Sequence, residues 1–339
     1  MSTGTSFVIV GGAAIEGILS GQHRQVMDVI ALAYRLHGQG DSINPDSYFL
    51  RFPQKPDARI IALPVYLGGE VNTAGLKWIA SFPGNIQQNL QRASAVLILN
   101  DFATGYPRAV LESSLISAHR TAASAALGAG ALSGGCRNVR KIGIIGAGVI
   151  ARQTLDYLFA DGWSAEEIAV HDLRSEDAQR LAGWINQKDR GEARVVGDSR
   201  ASCEDAQLIV LATTAASPHL VDPDLFAHAP TVLNISLRDI DPGLILDAQN
   251  VLDDVDHCLK AYTSPHLAEI KTGSRAFVAG TLHEVLTHRL LPDPARARIF
   301  SPFGLGVLDI ALGDFVLKAA QASGHAIEID NFFASTARW

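Results

Sequence analysis

Two rhythms of apolar and polar positions run along this chain. In the first third, short apolar runs dominate and most read as strands. Residues 7–10 predict a short strand that ends at Gly11-Gly12. Residues 20–36 put Val26, Val29, Ile30 and Ala33 on one side of a helix. Residues 44–56 read as loop-rich and carry Tyr48, Arg51 and Phe52. Strands are expected over 59–67, 73–81, 95–100 and 108–112, with a turn at Pro83-Gly84-Asn85 and a hairpin turn over 101–107. Residues 116–132 are rich in alanine and other small residues, so they predict a helix that packs tightly.

Beyond a glycine-containing linker at 133–138, strand-like and helix-like stretches alternate. An apolar strand over 139–145 runs into Gly146-Ala-Gly148-Val-Ile-Ala151, and a helix over 149–159 follows. Gly146 allows a tight turn, Gly148 lets a pyrophosphate lie against the backbone, and Ala151 lets the helix pack close to the strand. The helix then aims its free N–H groups and positive dipole end at the phosphates. A strand over 168–171 ends at Asp172, where such a fold carries the acid that binds ribose hydroxyls. A helix at 176–186 and strands at 193–196, 207–213, 231–236 and 250–253 continue the alternation. The expected fold is therefore α/β, a Rossmann dinucleotide-binding domain built on a parallel sheet wound on both faces. Ligands in such sheets sit beyond the carboxyl ends of strands, where Thr213, Ser236 and Asp239 fall. Near the C-terminus, Phe303-Gly-Leu-Gly306 precedes a helix over 307–321 whose first turn holds Asp309, a position the helix dipole alone explains. The tail beyond Gly324 is expected to cover a surface or a partner subunit.

Composition narrows the class. The chain has 339 residues, is 47% hydrophobic and carries a net charge of −7. Its length predicts two domains or three, and the acidic balance without any basic run argues against a nucleic-acid partner. No apolar stretch reaches roughly 18 residues, so no membrane span is expected. The N-terminal residues lack a signal-peptide pattern, which makes the cytoplasm the expected location. Cys136, Cys203 and Cys258 are scattered, form no CxxC and read as reduced structural thiols.

A dinucleotide site implies hydride transfer. The cofactor-binding candidates are Gly146, Ala147, Gly148, Val149, Ile150, Asp172 and Arg174, with Thr213 and Ser236 at the strand ends. The charge of Asp172 disfavours a 2′-phosphate and so favours NAD, although Arg174 two residues on softens that exclusion. Arg51, Lys77 and Arg120 supply cations that suit a substrate with carboxylates. Lys77 interrupts an apolar strand, so it either snorkels from an edge or reaches a ligand. Arg120 near the start of its helix is poorly placed for the dipole unless an acidic ligand answers it. Asp239 and Asp309 are candidate proton acceptors. With no HExxH, no Cys/His cluster and no Walker loop, no metal is expected.

The motifs occur in a telling order: Leu76-Lys77-Trp78, Leu99-Asn-Asp-Phe-Ala-Thr-Gly105, Ile116-Ser-Ala-His-Arg-Thr-Ala-Ala123, Ile144-Ile-Gly-Ala-Gly148 and Ser301-Pro-Phe-Gly-Leu-Gly-Val-Leu-Asp309. In this order they resemble the ornithine cyclodeaminase/μ-crystallin family over nearly the whole chain. The resemblance implies a Rossmann domain over 136–313. It implies an α+β substrate-binding and dimerisation domain built from both chain ends, 1–135 and 314–339, and a homodimer. It also implies that Lys77 and Arg120 grip a substrate carboxylate, that Thr121 touches cofactor phosphate, and that Asp239 lies in the loop carrying a catalytic aspartate. The family's cyclodeaminases carry a glutamate where this chain has Ile61, and the loop after Ser236 reads Leu237-Arg-Asp-Ile-Asp-Pro-Gly243 in place of their Asp-Cys-Pro-Gly-Lys. Tyr48-Phe-Leu-Arg-Phe-Pro53, Ile60-Ile-Ala-Leu-Pro64 and Ser81-Phe-Pro-Gly-Asn85 are closer to the subgroup that makes 2,3-diaminopropionate for siderophores and peptide antibiotics. That subgroup implies NAD-dependent oxidation of N-(2-amino-2-carboxyethyl)-L-glutamate, an amino acid with three carboxylates, to 2-oxoglutarate and L-2,3-diaminopropionate. The competing expectations are an ornithine or lysine cyclodeaminase, another amino-acid dehydrogenase or imine reductase of the family, and a dinucleotide-dependent binding protein without turnover.

Overall fold

In the computed structural model, which describes residues 7–334, the chain forms two compact units. One comprises Met1–Arg120 with Gly306–Trp339, the other Thr121–Leu305. The joints thus fall at 120/121 and 305/306, against 135/136 and 313/314 in the sequence reading.

The first unit is built on an eight-stranded sheet. Its strands are β1 (Phe7–Val10), β2 (Ser42–Ile43), β3 (Tyr48–Phe52), β4 (Lys55–Leu67), β5 (Thr73–Ser81), β6 (Ala93–Asp101), β7 (Pro107–Glu112) and a last strand, Ile327–Ile329. Their order is Ile327–Ile329, β1, β7, β6, β5, β4, β2, with β3 also paired to β4. Only β1 with β7 is parallel; the remaining pairs are antiparallel. Period-2 alternation sorts the side chains. Leu97 and Leu99 on β6 point to the buried face, while Trp78 and Val96, paired across β5 and β6, stand on the other face and are each 39% exposed. The buried face is covered by the helix Gly306–Ala322, which itself packs on α1 (Gly12–Leu19) and α2 (His23–Gly38). That helix lies so close that a Cβ at Gly313 would stand 2.2 Å from Leu97 Cδ2.

Two expectations are corrected and one element is added here. Residues 48–52, read as loop, form β3; four of its five residues are exposed, so no apolar alternation marks a strand that the backbone ladder to β4 holds. Residues 12–19, left without an element, form α1, whose glycines obscure the period while Ile15 and Leu19 are buried. The turn at 83–85 is a short 3₁₀ helix, Pro83–Gln88, closed by Asn89 in the left-handed region. The last five residues of the C-terminal tail lie outside the described residues.

The second unit begins within α3 (Ser114–Leu132) and carries eight parallel strands. They are β8 (Asn138–Ile145), β9 (Ser164–His171), β10 (Glu192–Val195), β11 (Leu208–Leu211), β12 (Thr231–Asn234), β13 (Gln249–Leu252), β14 (Val278–Thr281) and β15 (Arg298–Ser301). Their order is β10-β9-β8-β11-β12-β15-β13-β14, with every pair parallel. The order reverses direction between β8 and β11, which opens the crevice where doubly wound sheets take ligands. Two of the strands, β14 and β15, were not anticipated from the sequence. Burial pushes the Cys203 thiol up to about 12, which fits a structural cysteine. Among the described residues no helix is long and apolar enough to cross a membrane.

Candidate active site

The first unit holds a charged cluster inside its core. β5 runs between β4 and β6, so Lys77, opposite Leu63 and Leu97, is an interior residue and only 2% exposed. This corrects the edge-snorkelling alternative: there is no edge at that position. Its Nζ donates to Asp309 Oδ2 at 2.6 Å, and Asp309 is fully buried in the first turn of Gly306–Ala322. Arg120 Nε donates to Asp309 Oδ1 at 3.2 Å, with its side chain 11% exposed. Arg120 lies in the second turn of α3, so the expected clash with the helix dipole does not arise, and Asp309 answers the charge. Asp309 is accordingly more than a helix-start carboxylate. One carboxylate faces two cations, so this buried cluster carries one positive charge in excess. Burial lowers the Lys77 ammonium from 10.5 to about 8; Asp309 opposes that shift and Arg120 adds to it.

Arg51 is not brought into that cluster. It sits exposed on β3 with its guanidinium carbon 5.2 Å from the Phe49 ring centre. Register pairs it with Arg59 on β4, and alternation through Ile61 to Leu63 puts both arginines on the Lys77 face of the sheet. Arg59 was not singled out from the sequence; the signal was its spacing of four from Leu63 on one strand.

The second unit holds the glycine cradle. Gly146, just past β8, has φ +92°, and a Cβ there would stand 2.5 Å from the Ala212 carbonyl oxygen and 2.9 Å from the Thr213 nitrogen. Gly148 caps α4 (Val149–Ala160) without any side-chain bond, and nothing lies within 4 Å of where its Cβ would be. Val149 and Ile150 open that helix with free N–H groups in front of this space. The residues fit a dinucleotide: an open cradle, an uncapped helix start and an acid beside them. That acid, Asp172, accepts from Ala147 N at 2.7 Å and from Arg174 N at 2.8 Å, so it ties the cradle loop to the end of β9. The Arg174 side chain turns to Asp177 at 3.4 Å. Thr121 follows Arg120 on α3.

A second group forms beyond β11 and β12. Asp239 is fully buried. Its Oδ1 accepts from Thr213 Oγ1 at 2.5 Å, its Oδ2 accepts from Ser236 Oγ, and His219 Nε2 lies 2.7 Å from Oδ1. Thr213, Ser236 and Asp239 were expected at strand ends; His219, in the loop between those strands, was missed. Among the described residues no group of three His, Cys, Asp or Glu side chains could hold a metal.

Comparison with known proteins bears on this arrangement. Residues 14–323 match the model of the ornithine cyclodeaminase/mu-crystallin family. N-((2S)-2-amino-2-carboxyethyl)-L-glutamate dehydrogenase of Staphylococcus aureus is 29% identical over 321 residues, covering 89% of this chain and 92% of that protein. An archaeal alanine dehydrogenase dimer with bound NAD superposes with a TM-score of 0.87 at 24% identity, covering 97% of this chain and all of that one. A Thermococcus litoralis Δ1-pyrroline-2-carboxylate reductase in complex with NADH and L-proline gives 0.86 at 21% identity, covering 95% of this chain and all of that one. The two structures share the fold, a Rossmann-type dinucleotide-binding unit with a second α+β unit.

Proposed function

We propose, from the premise that this chain belongs to the ornithine cyclodeaminase/mu-crystallin family and is an NAD-dependent oxidoreductase acting on a carbon–nitrogen bond, that its substrate is an amino acid with several carboxylates. The reaction we assign is oxidation of N-(2-amino-2-carboxyethyl)-L-glutamate, after which water divides the imine into 2-oxoglutarate and L-2,3-diaminopropionate. The observation that carries this reading is the excess positive charge at Lys77, Arg120 and Asp309. Buried cations are stable only when answered by an anion, and one substrate carboxylate answers this one. Arg51 and Arg59 on the same face suit the further carboxylates. Between them and Lys77 in the register stands Ile61, paired with Ile79, so no acid offers itself to the second amine of ornithine. That disfavours cyclodeamination. The relative from Staphylococcus aureus bears the name of the proposed activity.

In this mechanism Lys77 and Arg120 hold the glutamyl α-carboxylate and orient its Cα–H; positioning of that kind is worth several kcal/mol. Asp309 spends both oxygens on those two cations, so it acts as a positioning residue, which leaves the proton work to groups outside this cluster. Gly146, Ala147, Gly148, Val149 and Ile150 would hold the pyrophosphate, with Thr121 on a phosphate. Asp172 would bind the ribose, with Arg174 beside it, and Thr213 and Ser236 would flank the nicotinamide side. The bound NAD⁺ supplies the hydride acceptor. The working unit we propose is a homodimer joined through the exposed sheet face that carries Trp78 and Val96.

The test is NADH absorbance with purified protein, NAD⁺ and N-(2-amino-2-carboxyethyl)-L-glutamate, beside an L-ornithine reaction assayed for ammonia. NADH, 2-oxoglutarate and diaminopropionate appearing in equal amounts is the expected result. Silence there, with ammonia and proline formed from ornithine, rejects the assignment. Arg120→Ala should lower kcat/KM by about 10²-fold or more while leaving NAD⁺ affinity within about two-fold, since positioning and binding act on different ligands.

A further inference from the structure

The loop after β11 presents a histidine that the reading above does not use. His219 Nε2 lies 2.7 Å from Asp239 Oδ1. The hydroxyls of Thr213 and Ser236 donate to the same buried carboxylate, so Asp239 is fitted as an acceptor on both oxygens. Against such a partner the imidazole donates through Nε2–H, which leaves Nδ1 as the nitrogen that can exchange a proton. The His219 side chain, held at Nε2, is 37% exposed.

The backbone fixes this geometry as well. His219 N and Leu220 N both donate to the Asp239 carbonyl oxygen at 2.9 Å, and Leu220 bridges Ile240 in parallel register. The Thr213 hydroxyl also accepts from Ala215 N at 3.0 Å, which pins the turn that carries it. The group lies past the carboxyl ends of β11 and β12. Ala212 and Thr213 there abut Gly146 of the cradle, at the reversal of strand order. Asp239 bonds the ring, while the charged neighbours are engaged elsewhere. Asp222 pairs with Arg200, Arg238 donates to the Ala261 carbonyl, and Asp241 accepts from Gly243 N.

We propose that His219 is the general base for the water step, with Asp239, Thr213 and Ser236 as positioning residues behind it. The assignment rests on the proposed oxidation. The oxidised substrate is a protonated imine. Water oxygen adds to its carbon, the C=N π pair moves to nitrogen, and the proton released from water passes to His219 Nδ1. The imidazolium returns that proton to the nitrogen of the carbinolamine. The C–N bond then breaks with its electron pair on nitrogen, and His219 takes the hydroxyl proton as the carbonyl forms. The amine leaves with that proton. The sequence is redox-neutral and restores neutral His219.

The experiment compares wild type with His219→Gln, whose amide N–H can still serve Asp239 but offers no base. Two rates are read across pH: the rapid NADH burst of the first turnover and the steady-state release of 2-oxoglutarate. The expected result is an unchanged burst, a steady-state rate lower by about 10²- to 10³-fold, and loss of the rise in kcat with pH. In His219→Ala, added imidazole should restore part of the steady-state rate. A His219→Gln enzyme with wild-type steady-state rate and pH profile overturns the proposal, and so does an equal fall in burst and steady state without imidazole rescue. A wild type silent on this substrate but able to reduce Δ1-pyrroline-2-carboxylate rejects the substrate reading, and the water step with it; failure of the histidine assignment alone leaves the wild-type reaction intact. A wild type that turns over neither compound overturns both.

Discussion

A single methyl group distinguishes the two glycines of the cradle. Gly146 has φ +92°, and its Cβ would meet the Ala212 carbonyl oxygen at 2.5 Å. Gly146→Ala therefore carries the left-handed penalty of roughly 1–2 kcal/mol and a clash with backbone that cannot swing aside. It should lower Tm clearly. Gly148 has φ −79° and open space where the Cβ would go, so Gly148→Ala should leave Tm within about 1 °C. The added methyl instead occupies room a pyrophosphate needs, and NADH titration should show affinity weakened about ten-fold or more, about 1.4 kcal/mol. Lys77 yields a pH prediction. Its charged form serves the carboxylate, and burial has brought it to about 8. kcat/KM should fall as pH rises through about 8, with most of the change in KM, because a bound carboxylate favours the charged form again. Stability runs the other way. The folded value lies below the unfolded 10.5, so the unfolded chain binds more protons between the two and this group's unfavourable contribution is relieved as pH climbs through that window. Lys77, Arg120 and Asp309 were each legible as residue types in the sequence. Their meeting was not, since Asp309 lies 232 residues from Lys77 and 189 from Arg120. His219 escaped because a histidine in a loop has no periodicity to betray it.

Local consistency decides which elements a sequence discloses. β8, the cradle and α4 were readable because apolar run, glycines and helical period agree over some twenty consecutive residues. β14 and β15 have four residues each. β14 includes a glycine at φ +159°, and β15 is half-polar in sequence, so neither supplies the long apolar run that marks a buried parallel strand. β3 was hidden for the opposite reason, being exposed along most of its length. The β9 end bears a prediction of its own. Asp172 receives Ala147 N and Arg174 N, so it both shapes the cradle loop and sets the charge opposite a ribose. Asp172→Ser removes the charge that repels a 2′-phosphate and leaves Arg174 nearby. The ratio of kcat/KM for NADP⁺ over NAD⁺ should rise by about ten-fold or more, which steady-state assays with each cofactor will measure. A ratio that stays put would mean that Asp172 serves the loop and not the selectivity.

At the scale of the whole molecule, what the sequence marks and what contacts define are different things. The glycine linker at 133–138, with Gly134 and Gly135 both at positive φ, signals a break in the chain trace. The contact boundary at Arg120 and Thr121 instead falls inside the continuous helix α3, where unbroken hydrogen bonding leaves no trace in composition. The sheet of the first unit shows the same limit. Alternation shows that β5 and β6 have two faces, but only the structure shows that one face is covered by helices and the other is not. On the uncovered face Trp78 and Val96 stand opposite each other, each 39% exposed, and register adds Leu50 and Tyr48 from β3, 47% and 70% exposed. Exposed apolar side chains gathered on a sheet face mark an interaction surface, and a second copy of the same face would bury them symmetrically. Lys77 points the other way, so charge introduced on this face spares the buried cluster. Trp78→Glu combined with Val96→Glu should convert a dimer to a monomer in sedimentation at micromolar concentration. Like charges would then meet across the two-fold axis, while NADH affinity of the second unit stays within about two-fold. A double variant that sediments as a dimer would move the interface to another surface, and a monomeric wild type would dispose of the homodimer altogether.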